Sequence, residues 1–239
     1  MDVLVFASQK GGSGKTTLSG HIAVEAERNG DGPVVLVDTD PQGSLSGWWN
    51  ARKAGTPAFA QSDIARLLND LTRLRAKGFR LAVIDTPPAI TAAIQNVVAV
   101  ADLVAIPTRP SPHDLRAVGA TVELVERAGK PLVFVVNAAT RRARITADAA
   151  VALSQHGTVA PTTIHHRVDF ATSMIDGRTV AELNPKSASC AEITALWSYL
   201  RDRLQRSVRR PGVAVRPDRG FPVGPGRAVF GRRNLVINS

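Results

Sequence analysis

Short unbroken apolar runs alternate with stretches whose apolar residues recur every three or four positions, and the alternation holds through the first 206 residues. The runs predict strands at 2–7, 33–38, 80–85, 102–107 and 131–137, with a weaker one at 158–164. The helical spacings fall at 15–29, 62–76, 90–100, 113–128, 145–155 and 188–206. Val3-Leu4-Val5-Phe6-Ala7 has no polar residue between its apolar ones, so the strand it forms is expected to be covered on both faces. Strands alternating with helices predict an α/β fold, a mostly parallel twisted sheet with helices on both sides. In such sheets ligands bind beyond the carboxyl ends of the strands.

The helix at 188–206 carries an apolar stripe, Ile193, Leu196, Trp197, Leu200 and Leu204, expected to dock on the core. Tyr199, Arg201, Arg203 and Arg206 are expected on its solvent side. Beyond it the pattern stops. Residues 208–239 hold seven arginines against Asp218, a net charge of +6 within a total of +10, and are rich in Pro and Gly. The expected division is a globular domain at 1–206 and a basic, disordered tail at 207–239, which either binds polyanions weakly or does nothing.

Cys190 is the only cysteine of the 239 residues, which excludes an intrachain disulfide and a cysteine-held metal cluster. Asp2 leads straight into the first strand, so no signal peptide is expected. No run approaches the roughly 20 apolar residues of a membrane span. A cytoplasmic protein with no membrane partner is the expectation.

The chemistry concentrates at strand ends. The first strand runs into Gln9-Lys10-Gly11-Gly12-Ser13-Gly14-Lys15-Thr16-Thr17, and a helical pattern follows through Leu18, Ile22, Ala23 and Ala26. Strand, glycine loop, helix is the context a P-loop requires. Glycine lets successive backbone N–H groups turn inward on phosphate oxygens, and the helix N-terminus adds its positive end. In that motif Lys15 reaches the β- and γ-phosphates and the Thr16 hydroxyl meets Mg²⁺. Lys10 is a second lysine that an ordinary P-loop does not need.

Val34 to Val37 lead into Asp38-Thr39-Asp40-Pro41-Gln42. Two carboxylates two positions apart share a side of an extended chain. Beside a triphosphate they can hold metal-bound water or orient the attacking water. Leu81-Ala82-Val83-Ile84-Asp85 is a second apolar strand ending in an acid, the Walker B pattern, and would place Asp85 toward Mg²⁺ through water. Thr86-Pro87-Pro88 follows as a stiff loop expected to act as a switch near the γ-phosphate.

Lys10 to Thr17, Val37 to Gln42 and Ile84 to Pro88 together resemble the ParA/MinD family of deviant Walker A ATPases. Val104-Ala105-Ile106-Pro107 with Pro110-Ser111-Pro112-His113-Asp114 resembles the proline-rich segment of small, ParF-like ParA proteins. The likeness spans about residues 1–206 and implies a P-loop NTPase fold that forms an ATP-sandwich homodimer. Residue by residue, it implies that Lys10 crosses to the partner's phosphates and that Gly11, Gly12, Ser13 and Gly14 wrap the nucleotide. It has Lys15 bind the β- and γ-phosphates, Thr16 ligate Mg²⁺ and Thr17 contact the α-phosphate. Asp40 would position the hydrolytic water, with Asp38 and Asp85 serving the metal, and Asn137 stands where the family often reads the base.

The family also binds DNA nonspecifically while ATP-bound and releases it after hydrolysis. Thr163 to Ala171 resembles the family's DNA-binding segment, with Arg167 in the position of its arginine; Arg141, Arg142 and Arg144 are further candidates. No helix-turn-helix precedes the first strand, so sequence-specific reading is not expected. The implied role is segregation or positioning of a cargo on the nucleoid, either a plasmid through a ParB- or ParG-like adaptor or a protein cluster such as chemoreceptors or microcompartments. The alternative is a MinD-like ATPase acting at a membrane surface. Iron–sulfur carriers of the same superfamily need cysteines that Cys190 alone does not supply, and an amide or biotin-pathway ligase would need a substrate signature not found here.

Overall fold

The computed structural model describes residues 1–88 and 92–208. Seven parallel strands form one sheet among them: β1 (Asp2–Phe6), β2 (Val34–Asp38), β3 (Ala58–Gln61), β4 (Leu81–Asp85), β5 (Leu103–Thr108), β6 (Leu132–Val136) and β7 (Thr158–Val159). Their order is β3-β2-β4-β1-β5-β6-β7. The helices are α1 (Lys15–Arg28), α2 (Ser44–Ala51), α3 (Leu67–Ala76), α4 (Ala92–Ala99), α5 (Pro112–Arg127), α6 (Arg144–Ser154), α7 (Val168–Met174), α8 (Val180–Leu183) and α9 (Ala188–Val208). The α/β expectation holds, and every strand pairing is parallel.

Alternate residues of the unbroken apolar strands serve opposite faces. Leu4, Phe6, Leu36, Val83 and Ala105 pack with α1 and α9 on one side. Val3, Val5, Val35, Val37, Ile84 and Ile106 pack with α3, α4, α5 and α6 on the other. Two-sided burial is why the strands carry no polar alternation. The stripe of α9 is fully docked, with Ile193, Leu196, Trp197, Leu200 and Leu204 all buried against the α1 side. At about 1.5–3 kcal/mol per buried large apolar side chain, that stripe is a main attachment of the C-terminal helix. Trp197 Nε1 donates to Asp31 Oδ2 at 2.8 Å and fixes its rotation.

The details differ from expectation in a few places. Tyr199 is half-buried and packs on the core, and Arg201 reaches Asp31 at 3.5 Å. The strand expected at 158–164 is only Thr158–Val159, and the helix expected from 62 begins at Leu67. Helix α9 continues two residues past the expected boundary at 206, and the rest of the expected tail lies outside the described residues, as do the first two residues of the helix expected at 90–100. Among the described residues no helix is long and apolar enough to cross a membrane.

Candidate nucleotide site and basic face

β1 lies at the middle of the sheet with β4 on one side and β5 on the other, and the chain order reverses there. The loop leaving β1 therefore opens into a crevice at the carboxyl ends of the strands. Gly12 and Gly14 take positive φ, 71° and 101°, and let the loop curl back before α1. Gly14 is the N-cap of α1, and no side chain caps it. The first-turn amides of α1 are thus left open toward an anion. Asn137, just past β6, donates Nδ2–H to the Ser13 carbonyl at 2.6 Å and holds the curl from behind. A Cβ at Gly14 would collide with that same Nδ2. Asn137 lines the cavity, and the bond it makes here is to the loop.

Lys15 is buried at the first position of α1. Loss of water lowers its pKa, while the charges of Asp85 and Asp40 oppose the shift. Thr16 Oγ1 donates to Asp85 Oδ2 at 2.6 Å. Burial pushes the Asp85 carboxyl up to about 7, with Asp38 and Asp40 adding to the rise; the Thr16 hydrogen bond and Lys15 work against it. Its second oxygen, Oδ1, is buried with no hydrogen-bond partner. A buried carboxylate oxygen without a donor, beside a threonine hydroxyl, fits a hard divalent cation. No group of three or more His, Cys, Asp or Glu that could hold a metal occurs among the described residues. Mg²⁺ at Thr16 and Asp85 would therefore take its remaining oxygens from phosphate and water.

Asp38 is tied into the protein by hydrogen bonds. Its Oδ1 accepts the Asp40 N–H at 3.0 Å, and its Oδ2 accepts both N–H and Oγ–H of Ser46, at 3.0 and 2.8 Å. The carboxylate sits at the N-terminal turn of α2, where negative charge is stabilised. Both of its oxygens accept hydrogen bonds from the protein, whereas Asp85 keeps one oxygen without a partner. Asp40 follows in a tight turn, its Oδ1 accepting the Gln42 N–H at 2.9 Å, close enough to Lys15 for their charges to interact. Lys10 and Gly11 are exposed at the entrance of the loop, and the Lys10 ammonium has no partner among the described residues.

The loop forms one wall of a cavity of about 730 Å³, which suits a nucleotide. Gly12, Gly14, Lys15, Thr16 and Thr17 line it. Trp48, His165, Arg167, Phe170, Met174 and Ile175 line it as well, none of them expected there from sequence, Arg167 being expected at DNA instead. α7 supplies Phe170 and Met174, and Arg167 and Ile175 flank it as its caps. Arg109 also lines the cavity and was not singled out from sequence.

The basic segments come together beyond β6. Ala139 and His165 form a parallel bridge, and the His166 N–H bonds the Ala139 carbonyl at 2.9 Å. Arg141 and Arg142 are exposed on the first segment, with Arg142 at φ 59°. Arg144 lies 3.9 Å from Asp148 and is almost fully exposed. Arg167 is not a free cation. Glu192 of α9 holds it through both guanidinium nitrogens, at 2.6 and 2.7 Å, and also accepts from the His165 N–H and meets His165 Nδ1. That carboxylate keeps the Arg167 pKa high.

The model of the CobQ/CobB/MinD/ParA nucleotide binding domain matches residues 4–180. The chain is 31% identical to the "Maintenance of carboxysome distribution protein A" of Halothiobacillus neapolitanus over 199 residues, 79% of this chain and 91% of that one. In structure it resembles an ATP complex of Cyanothece McdA, with TM-score 0.66 and 17% identity over 86% of this chain and 96% of the other. It also resembles the cell division ATPase MinD of Pyrococcus furiosus, with TM-score 0.70 and 18% identity over 84% and 98%. With an open, glycine-curled loop, a buried lysine and a Thr16–Asp85 pair at the middle of the sheet, the chain belongs to the CobQ/CobB/MinD/ParA nucleotide-binding domain family.

Proposed function

We propose that the protein is a ParA-type positioning ATPase of the McdA kind, which hydrolyses ATP and uses the cycle to distribute a cargo over nucleoid DNA. The observation that carries the reading is the pairing of a complete own-site phosphate apparatus with a spare lysine. Lys15 and Thr16 line the cavity, with Asp85 buried and bonded to Thr16, while Lys10 stands exposed at the start of the loop with no partner among the described residues. Lys10 then meets the nucleotide of a second subunit, so the dimer depends on ATP. The carboxysome relative supports a protein-bounded compartment as cargo.

In this reading Lys15 and the open amides of α1 neutralise the β- and γ-phosphates. Bound Mg²⁺ would supply charge stabilisation between phosphate oxygens. Asp40 orients water on the γ-phosphorus, with the Lys15 charge close by. Arg141, Arg142 and Arg144 form the DNA face with Arg167, and dimerisation doubles it. Phosphate contacts of this kind are salt-dependent and indifferent to sequence.

The test is DNA binding by the full chain with ADP, ATP and a nonhydrolysable analogue at two salt concentrations. Binding is expected only with ATP or the analogue, weaker at high salt and equal for unrelated sequences. Equal binding in all nucleotide states would refute the positioning cycle.

A further inference from the structure

We infer that Arg109 is a further phosphate-binding residue of the site, one that contacts the γ-phosphate end of the nucleotide held by its own loop. The inference rests on the nucleotide reading of the cavity. Arg109 follows β5, which is hydrogen-bonded to β1, so the loops leaving these two strands start side by side. The guanidinium lies over the outer face of the glycine loop: a Cβ on Gly12 would stand 3.4 Å from Arg109 Nη2. It lines the same cavity as Lys15 and Thr16. The side chain is exposed and has no carboxylate or carbonyl partner among the described residues. A cation held beside neutral glycine backbone gains little from that contact. An anion bound in the loop is what would hold it there.

The backbone beneath Arg109 is already fixed. Pro107 and Pro110 restrict it on either side, and the Ser111 N–H bonds the Arg109 carbonyl at 2.8 Å. Ser111 caps α5, its Oγ accepting the Asp114 N–H at 3.1 Å, with Pro112 in the first turn. On the loop side, the Gln9 N–H bonds Thr121 Oγ1 of α5 at 3.3 Å. Only the arginine side chain remains to be ordered when phosphate arrives, which keeps the cost of binding low.

Gly12 precedes Lys15 and Thr16 in the loop, the residues that in a P-loop reach the β- and γ-phosphates and the metal. A cation over Gly12 therefore meets the end of the phosphate tail remote from the nucleoside. As water adds to the γ-phosphorus and the bridging bond to the β-phosphate breaks, negative charge moves among the terminal oxygens. The guanidinium fork can hold two of them at once while neither giving nor taking a proton. ADP lacks that group, so Arg109 distinguishes the two nucleotides.

The experiment titrates the full chain, Arg109→Ala and Arg109→Lys with fluorescent ATP and ADP in the presence of Mg²⁺, and follows phosphate release. Because the side chain has no hydrogen-bond or ion-pair partner among the described residues, both variants are expected to melt with the parent. Arg109→Ala is expected to bind ADP within about two-fold of the parent, to lose about ten-fold or more in ATP affinity, and to hydrolyse more slowly. Arg109→Lys is expected to recover part of the ATP affinity, because it restores charge without the fork. Unchanged ATP affinity in Arg109→Ala, or equal losses for ATP and ADP, would overturn the assignment. A parent that binds neither nucleotide would instead remove the site reading beneath it.

Discussion

Gly14 is the least replaceable residue of the loop, for two independent reasons. Its φ of 101° excludes a side chain on steric grounds, and a Cβ there would land on Asn137 Nδ2. Gly14→Ala is expected to cost about 1–3 kcal/mol in urea denaturation and to abolish nucleotide binding. Asn137→Ala removes only the bond to Ser13, so it should weaken binding without matching the stability loss. Asp85 gives a pH prediction at the same scale. Its folded pKa of about 7 lies above the ordinary carboxylate value of 3.8, so the nucleotide-free protein binds this proton more tightly than the unfolded chain does. The stability linked to it is complete below about pH 4 and is lost as pH rises through 7, on the order of a few kcal/mol. Asp85→Asn is expected to flatten that slope in denaturation curves taken between pH 5 and 8, and to lose Mg²⁺-dependent hydrolysis. A slope unchanged by the substitution would contradict the buried-carboxylate account.

Elements show where the sequence was readable and where it was not. The five long strands and the helices around them were legible, because two-sided burial imposes unbroken apolar runs. The glycine loop around Lys15 and Thr16 was readable as one run of consecutive residues, and Asp85 as the acid ending an apolar strand; the Thr16–Asp85 bond joins the two across 69 positions. α2 was not read: Gly43 precedes it, Gly47 interrupts it, and its support is remote. Asp38 holds the Ser46 amide from eight residues away, and the Trp48 ring packs flat on Gly20 of α1. β3 was hidden because this edge strand is only half-buried. α8 did carry a readable signal, since Thr179 and Glu182 form a capping box. The pairing of Arg167 with Glu192 links residues 25 positions apart in sequence, and no local pattern announces it. Glu192→Gln loosens that pair, so DNA binding in the ATP state is expected to strengthen, while Arg167→Glu should abolish it. His21 connects elements in another way. Its Nδ1 meets the Thr17 carbonyl at 2.8 Å, and its Nε2 accepts the Val180 N–H at 3.2 Å, joining α1 to α8. Complete burial lowers its pKa to about 4 from 6.5. Here the unfolded chain takes the proton more readily, so the linked stability is present above pH 6.5 and is lost as pH falls toward 4. Hydrogen exchange at the Val180 amide, corrected for its intrinsic rate, should quicken across that window.

At the scale of the whole molecule, the proposed ATP-dependent dimer would make the site half of a larger one. The cavity offers a nucleotide loop amides, Lys15 and Thr16 from a single chain, with Asp85 bonded to Thr16, so binding should not require a second copy. Lys10, exposed at the entrance, adds nothing to that set unless another subunit's phosphates come within reach. Lys10→Ala should therefore separate two properties that Lys15→Gln removes together. It is expected to bind ATP within a few-fold of the parent in a titration of monomer, yet to remain monomeric by light scattering with a nonhydrolysable analogue. DNA binding should fall with the dimer, because one face of exposed arginines gives weak affinity and two joined faces raise the effective concentration of the second. The salt dependence of whatever binding remains should drop to about half the parent's slope, since half the phosphate contacts are gone. Lys15→Gln should lose ATP, dimer and DNA at once. A Lys10→Ala protein that still dimerises with the analogue would place the subunit contact elsewhere and leave Lys10 as a surface charge.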